Sequence, residues 1–301
     1  MVQHGVGAVT VPEKLAEKFC REELTAYKAY QWLAARERDP VRRSVLEEMA
    51  AQERSHYEFW RRMLGRDCRP RRLSLMLLGL AYRILGPIFT LKMLERGEEE
   101  AIREYTEALR YLKGEDRRRL EEIIEDERNH EAKLLEGIED VRVKYLGYIA
   151  LGLADAIVEI TGVHAGFLGA TSSTILAGVA GLVVGFSAAL SMSGAAYLQA
   201  KHGRETRPII SAGVTGIAYI ASVVLLALPY FIFRNMAEAF TASLLLATLV
   251  VGSFTYFSTV VQDKPFLKEF LESLALMLGT AFGSFLFGKA LGTLLGVEHV
   301  M

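Results

Sequence analysis

Two Glu-x-x-His pairs in the first half of the chain have the spacing of metal ligands. Glu53 precedes His56 in E-R-S-H, and Glu127 precedes His130 in E-R-N-H. Residues three apart share one face of a helix, so each pair offers a carboxylate and an imidazole to the same point. A single such pair on a glutamate-rich helix is about as often part of a solvent-exposed helix face as a pair of metal ligands. Two such pairs form a far more specific pattern. The sequence therefore predicts a metal site.

Two Glu…Tyr pairs extend this pattern. Glu23 is followed seven residues later by Tyr30, and Glu98 by Tyr105. Seven residues are nearly two turns, so each tyrosine should lie above its glutamate on one helix face. Carboxylates with imidazole suit iron, and also manganese or zinc. The predicted di-metal ligands are Glu23, Glu53, His56, Glu98, Glu127 and His130, with Glu22, Glu99, Glu100 and Glu104 as nearby alternatives.

Four amphipathic helices are needed to position these ligands. Apolar residues recur every three or four positions, which predicts helices over about 11–38 and 40–64, a third that leads up to Lys113-Gly114, and a fourth over about 115–136. The apolar segment 73–94 contains Arg83, Lys92 and a Gly86-Pro87 break. We interpret it as an interfacial or crossover segment whose apolar face lies against the membrane or the membrane domain, because a span there would separate the bundle's helices across the bilayer.

The second half of the chain has the composition of a membrane domain. The sequence holds 35 basic and 36 acidic residues, and only 15 of these follow Lys144. Apolar runs predict five spans, at about 146–168, 175–199, 209–233, 239–261 and 271–295. Basic residues cluster in alternate connections. The positive-inside rule therefore predicts that the N-terminal domain (1–140) is cytosolic and that the membrane domain (141–301) ends outside the cytosol. We expect an integral protein of the plasma membrane, although the sequence does not identify the membrane.

The predicted spans contain residues that could serve a transport pathway. Asp155 and Glu159 lie one turn apart in the first span. An acid near mid-membrane costs about 2.5–3.5 kcal/mol on insertion scales, so such residues usually face a pathway. Met192 lies among small residues in the second span and is a soft ligand, although one methionine is more often packing. His164 is interpreted as structural rather than as an exit ligand.

Both halves resemble known families. Residues 11–136, with the two Glu-x-x-His and two Glu…Tyr pairs, resemble the rubrerythrin-type branch of the ferritin-like superfamily, but without a rubredoxin-like four-cysteine segment. Residues 142–297, with G-L-A-D-A and S-M-S-G-A-A-Y-L-Q-A-K, resemble the vacuolar iron transporter family. Together they resemble the membrane-bound ferritin arrangement. The resemblance implies a proton-driven Fe²⁺/Mn²⁺ antiporter, usually dimeric, in which Asp155 and Met192 serve the path between the first two spans.

Two departures from the transporter family stand out. Ser187 and Ala195-Ala196 stand where that family typically has glutamates, and Lys201 to Pro208 is a short connection in place of an acidic cytosolic extension. Glu159 and the N-terminal bundle are candidates to replace these functions.

The sequence thus predicts an all-α protein, with a ferritin-like four-helix bundle followed by a five-helix membrane domain. Its predicted function is proton-coupled export of Fe²⁺, with Mn²⁺ as an alternative, by a homodimer whose di-iron bundle captures, senses or oxidises the metal. The alternatives are a membrane-anchored di-iron oxidase or peroxidase, in which the spans only anchor the bundle, and a non-catalytic iron sensor that regulates a partner. Basic residues are interleaved with acids, which argues against nucleic-acid binding. Cys20 and Cys68 show no paired spacing, so we expect two reduced thiols.

Overall fold

The computed structural model describes residues 11–135, 141–203 and 207–296, without the side chains of 98, 99, 130–135, 141 and 142. Within these ranges the regular secondary structure is entirely helical. The chain divides into two compact units, Met1–Asp140 and Val141–Met301.

The first unit contains the amphipathic helices. They are α1 (Glu13–Ala34), α2 (Pro40–Leu64), α3 (Arg72–Leu85), α4 (Pro87–Ala108), a 3₁₀ turn (Leu109–Tyr111) and α5 (Gly114–Leu135).

Local signals explain where α1 ends and α2 begins. The carboxylate of Glu37 accepts hydrogen bonds from the backbone N–H groups of Arg38 and Asp39, at 2.7 and 2.9 Å. This turn competes with the helix, so α1 ends at Ala34 and not near 38 as predicted. The side chain of Asp39 then caps α2 by accepting hydrogen bonds from the backbone N–H groups of Val41 and Arg42, and Pro40 occupies the first turn of α2.

The segment 73–94 is divided between two helices. Gly86 has φ +94°, a left-handed conformation that favours glycine, and Pro87 begins α4. Thus α3 is a separate helix of 14 residues, too short to cross a bilayer, while α4 already begins inside the segment.

Four of these helices share one apolar core. Phe19 of α1, Trp60 of α2, Tyr105 of α4 and Ile123 of α5 are all fully buried in it. The aromatic rings of Phe19, Trp60 and Tyr105 contact one another, with centroids 4.6 to 5.4 Å apart. The core therefore fixes the faces of α1, α2 and α5 on which Glu23, Glu53, His56 and Glu127 lie.

The second unit contains the short α6 (Val141–Lys144) and five long helices. These are α7 (Leu146–Ala170), α8 (Thr174–Gly203), α9 (Pro208–Ile232), α10 (Met236–Val261) and α11 (Phe266–Leu295). In the described residues all five are long and apolar enough to cross a membrane, as the sequence predicted, and they indicate a membrane protein. Glycines bring the helices close: a Cβ on Gly152 would overlap the backbone of Thr215.

Candidate metal centre and intramembrane acids

Three helices bring four of the predicted ligands together in the first unit. Glu23 on α1, Glu53 and His56 on α2, and Glu127 on α5 each offer a ligand atom, and these atoms lie within 4.8 Å of one another. All four side chains are buried. We call this group the Glu/His cluster.

The hydrogen bonds of His56 orient its ring toward the cluster. Nδ1 of His56 lies 3.0 Å from Oε1 of Glu127 and 3.8 Å from Oε2 of Glu23. Nε2, on the other edge of the ring, lies 3.2 Å from Oδ2 of Asp126. A carboxylate on the outer nitrogen of a metal-binding histidine fixes its tautomer and ring orientation. Asp126 therefore has the placement of a positioning residue for His56.

Tyr105 makes a contact across helices. Its hydroxyl, fully buried on α4, donates a hydrogen bond to Oε1 of Glu23 on α1. The sequence pattern had associated this tyrosine with Glu98 on its own helix, a residue whose side chain lies outside the described residues. Burial, and then the negative charges of Glu23 and Glu127, raise the pKa of Tyr105, so that it stays a proton donor to Glu23.

The buried negative charge of the Glu/His cluster shifts the pKa values of its own residues. Burial, and then the charge of Glu127, raise the pKa of Glu23 to about 7. Burial alone would lower the pKa of His56, but hydrogen bonds to Asp126 and Glu127 and the charge of Glu23 raise it to about 10. Three buried carboxylates thus draw protons to compensate their charge.

The residues fit a divalent metal. Three carboxylates and one imidazole are ligands that Fe²⁺, Mn²⁺ and Zn²⁺ accept, and the positive charge of a dication would offset the burial of the carboxylates. Two predicted ligands remain untested, because the side chains of Glu98 and His130 lie outside the described residues. Gly97 and Ala101, on the α4 turn that carries Glu98, line the same cavity as Glu23.

Between α1, α3 and α4 lies a cavity of about 520 Å³, which leads to the Glu/His cluster. Glu23, Glu53 and Glu127 lie along it, and so do three of the alternative acids, Glu22, Glu100 and Glu104. Glu22 forms an ion pair with Arg71 (2.8 Å), and Glu104 forms one with Lys18. These acids therefore belong to the approach to the cluster, whereas Glu99 lies outside the described side chains.

The cysteine prediction is wrong. Cys20 and Cys68 form a disulfide, with their Cα atoms 6.2 Å apart, which joins α1 to the segment that precedes α3. Their separation of 48 residues carries no recognisable spacing, so only the packing of α1 against the end of α2 brings the two sulfurs together.

In the second unit, a tyrosine binds one of the predicted pathway residues. Glu159 on α7 accepts a hydrogen bond from the hydroxyl of Tyr219 on α9. Met192 on α8 is partly buried and packs on the core that contains Tyr219. Asp155, one turn before Glu159, is exposed on the single chain. Tyr219 was missed, although a tyrosine near the middle of an apolar span is a signal that could have identified it.

Glu159 also borders a cavity of about 630 Å³ between α7, α8 and α11. Apart from Glu159, Thr280 and Ser284, its lining is apolar. His164 does not line this cavity: its ring is fully buried, packs tilted against the ring of Tyr230 with centroids 4.0 Å apart, and lies against Gly181. The structural role predicted for His164 therefore stays a prediction.

No family model matches this chain, and neither a curated protein nor a solved structure matches it. The resemblances drawn from its motifs therefore stay predictions.

Proposed function

We propose that this protein exports a divalent transition metal, Fe²⁺ or the chemically similar Mn²⁺, from the cytosol in exchange for protons. The first unit, which we propose to be a ferritin-like bundle, captures, senses or oxidises the ion before transport. The observation that carries the proposal is the Glu/His cluster, because three buried carboxylates around one imidazole are costly without a cation.

The second metal position of a di-iron site would use Glu98 on α4 and His130 on α5. Both belong to helices that already contribute to the core around the cluster. Bound iron would supply redox chemistry, and the chain's own groups would hold and orient it. Glu23, Glu53 and Glu127 provide negative oxygen ligands, His56 provides a nitrogen, and Asp126 holds the ring of His56 in place.

The intramembrane acids support a carrier more than a simple anchor. Glu159 accepts a hydrogen bond from Tyr219 and borders a cavity, and an anchor gains nothing from placing such a carboxylate in an apolar helix. The exposure of Asp155 in an apolar span supports a homodimer, in which the second copy or the ion path shields this acid from lipid.

Metal flux into proteoliposomes tests the membrane part. Wild-type protein should move Fe²⁺ or Mn²⁺ under a pH gradient, and Asp155→Ala should not. Glu238→Ala, which removes an exposed acid at the start of α10, is the matched control and should transport normally. Normal flux in Asp155→Ala would remove Asp155 from the pathway, whereas absence of metal flux with the wild-type protein would contradict the carrier proposal and favour a membrane-anchored oxidase or peroxidase.

Metal analysis tests the first unit independently. Protein purified without added metal should retain iron or manganese, and Glu127→Gln should lose most of it. Glu125→Gln, an exposed neighbour on the same helix, should not. Equal metal content in Glu127→Gln and wild type would contradict the assignment of the cluster.

A further inference from the structure

The helix α3 has an apolar stripe on its exposed side. Leu73, Met76, Leu77 and Leu80 follow a three-and-four spacing, and their side chains are between 51% and 65% exposed. Ile84 continues the stripe and is also exposed. Among the described residues of the first unit, the only other large aliphatic side chain with such exposure is Val41. An apolar surface this concentrated on one helix marks an interaction site.

The charge of α3 indicates what binds there. The helix Arg72–Leu85 contains no acidic residue, and Arg72 and Arg83 are exposed at its two ends. Arg69, just before the helix, is exposed as well. A second copy of α3 would bring arginines against arginines in either direction, with no acid on the helix to offset them. Apolar residues between cations instead match a lipid surface with anionic headgroups.

The opposite side of α3 packs against the rest of the first unit. Leu78 is buried, Tyr82 packs edge-on against Trp32 of α1 with ring centroids 5.3 Å apart, and the backbone N–H of Arg71 donates to Thr25 at 2.9 Å. These contacts hold the exposed stripe outward. The inner side also borders the cavity that reaches the Glu/His cluster, through Ser74, Leu75 and Leu78.

We propose that α3 is an in-plane membrane-binding helix, which inserts its apolar stripe into the headgroup region of a bilayer containing anionic lipid. Since α3 is also one wall of the metal cavity, this docking holds the route to the cluster at the bilayer surface. A single short amphipathic helix binds lipid weakly, but the five spans of the same chain keep a bilayer close and raise its effective concentration. The docking is independent of which metal the cluster binds and of whether the spans transport it.

The test uses the full chain in nanodiscs of mixed phosphatidylglycerol and phosphatidylcholine. Single cysteines in Met76→Cys and Leu80→Cys carry an environment-sensitive fluorophore, and Glu47→Cys on the exposed side of α2 is the matched control. The parent protein, which has no introduced cysteine, is treated with the same fluorophore to give the background. This background should be low, because Cys20 and Cys68 are joined in a disulfide. Brominated lipid should quench the label at 76 and 80 at least about twofold more than at 47.

Three outcomes would overturn the proposal. Labels at 76 and 80 could be as water-exposed as the label at 47, which would show that α3 stays in solution. They could report an apolar environment that brominated lipid does not quench, which would show a protein partner. Equal quenching in discs of phosphatidylcholine alone would remove the role of anionic lipid. In the mixed discs, Arg72→Gln with Arg83→Gln should reduce the quenching at 76.

Discussion

Nδ1 of His56 lies 3.0 Å from Oε1 of Glu127, although 71 residues separate them in the chain. The opposite nitrogen, Nε2, lies 3.2 Å from Asp126, so two consecutive residues of α5 hold one imidazole of α2 from both edges. Because Glu127 contributes a ligand atom to the cluster and Asp126 does not, the two acids have different roles. This difference gives the first prediction.

Asp126→Asn should weaken metal binding at the cluster without unfolding the unit. Loss of such an orienting carboxylate typically lowers metal affinity about 10- to 100-fold, since the imidazole becomes less basic and less well positioned. Titration with Co²⁺ or Mn²⁺ of the metal-free protein measures the change. Glu125→Gln is the control, because that side chain is exposed on the same helix. Equal affinity in Asp126→Asn and wild type would show that Asp126 does not position His56.

The stability of the metal-free first unit should fall as pH rises. The folded pKa of Glu23, about 7, lies above its ordinary 4.5, and that of His56, about 10, lies above 6.5. Each group therefore stabilises the fold below its ordinary pKa, and that contribution is lost as pH rises through the folded value. Between pH 5.5 and 9 we expect the Tm to fall by at least about 4 °C.

Tryptophan fluorescence can measure this Tm in the full chain. The protein has two tryptophans, Trp32 and Trp60, and both belong to the first unit. Glu23→Gln should flatten the part of the curve below pH 7, because the amide does not titrate. Bound metal should flatten all of it, since the cation replaces the protons. A metal-free protein that becomes more stable with rising pH would contradict the charge assignment.

Periodicity and ligand spacing predicted much of this architecture, because they are properties of a single helix. The inward placement of Glu53, His56 and Glu127 follows from residues that share a helix face, and the five apolar helices follow from composition. Contacts between helices depend on how each helix is rotated, which spacing does not define. Tyr105 with Glu23 and Tyr219 with Glu159 are of this kind, as is the disulfide.

Replacing Cys68 by serine should destabilise the first unit. The disulfide closes a loop of 48 residues, and loss of such a constraint corresponds to about 4 kcal/mol in the chain-entropy model. Cys20 is fully buried in the core beside Trp60, so the same fluorescence measurement reports the loss as a lower Tm. A reductant should lower the Tm of wild-type protein to that of Cys68→Ser. An unchanged Tm in both experiments would show that the disulfide does not stabilise this unit.

The disulfide also bears on orientation. Disulfides persist in oxidising compartments, whereas the positive-inside rule predicts a cytosolic first unit. If the unit is cytosolic, the Cys20–Cys68 disulfide should be reduced in the cell and form only after purification, so both thiols should react with a thiol reagent when protein taken from intact cells is unfolded. Full protection from that reagent would place the unit on the oxidising side and reverse the proposed direction of transport.

Gly288→Ala should separate α7 from α11 and destabilise the second unit. A Cβ at position 288 would overlap the carbonyl oxygen of Gly166, and neither backbone can move without breaking the helix contact. Overpacking of this kind costs about 1–3 kcal/mol. Gly283→Ala on the same helix is the matched control, because nothing lies within 4 Å of its Cβ. After heating in detergent, size-exclusion chromatography should recover less monodisperse Gly288→Ala than Gly283→Ala, and equal recovery would refute the close approach of α7 and α11.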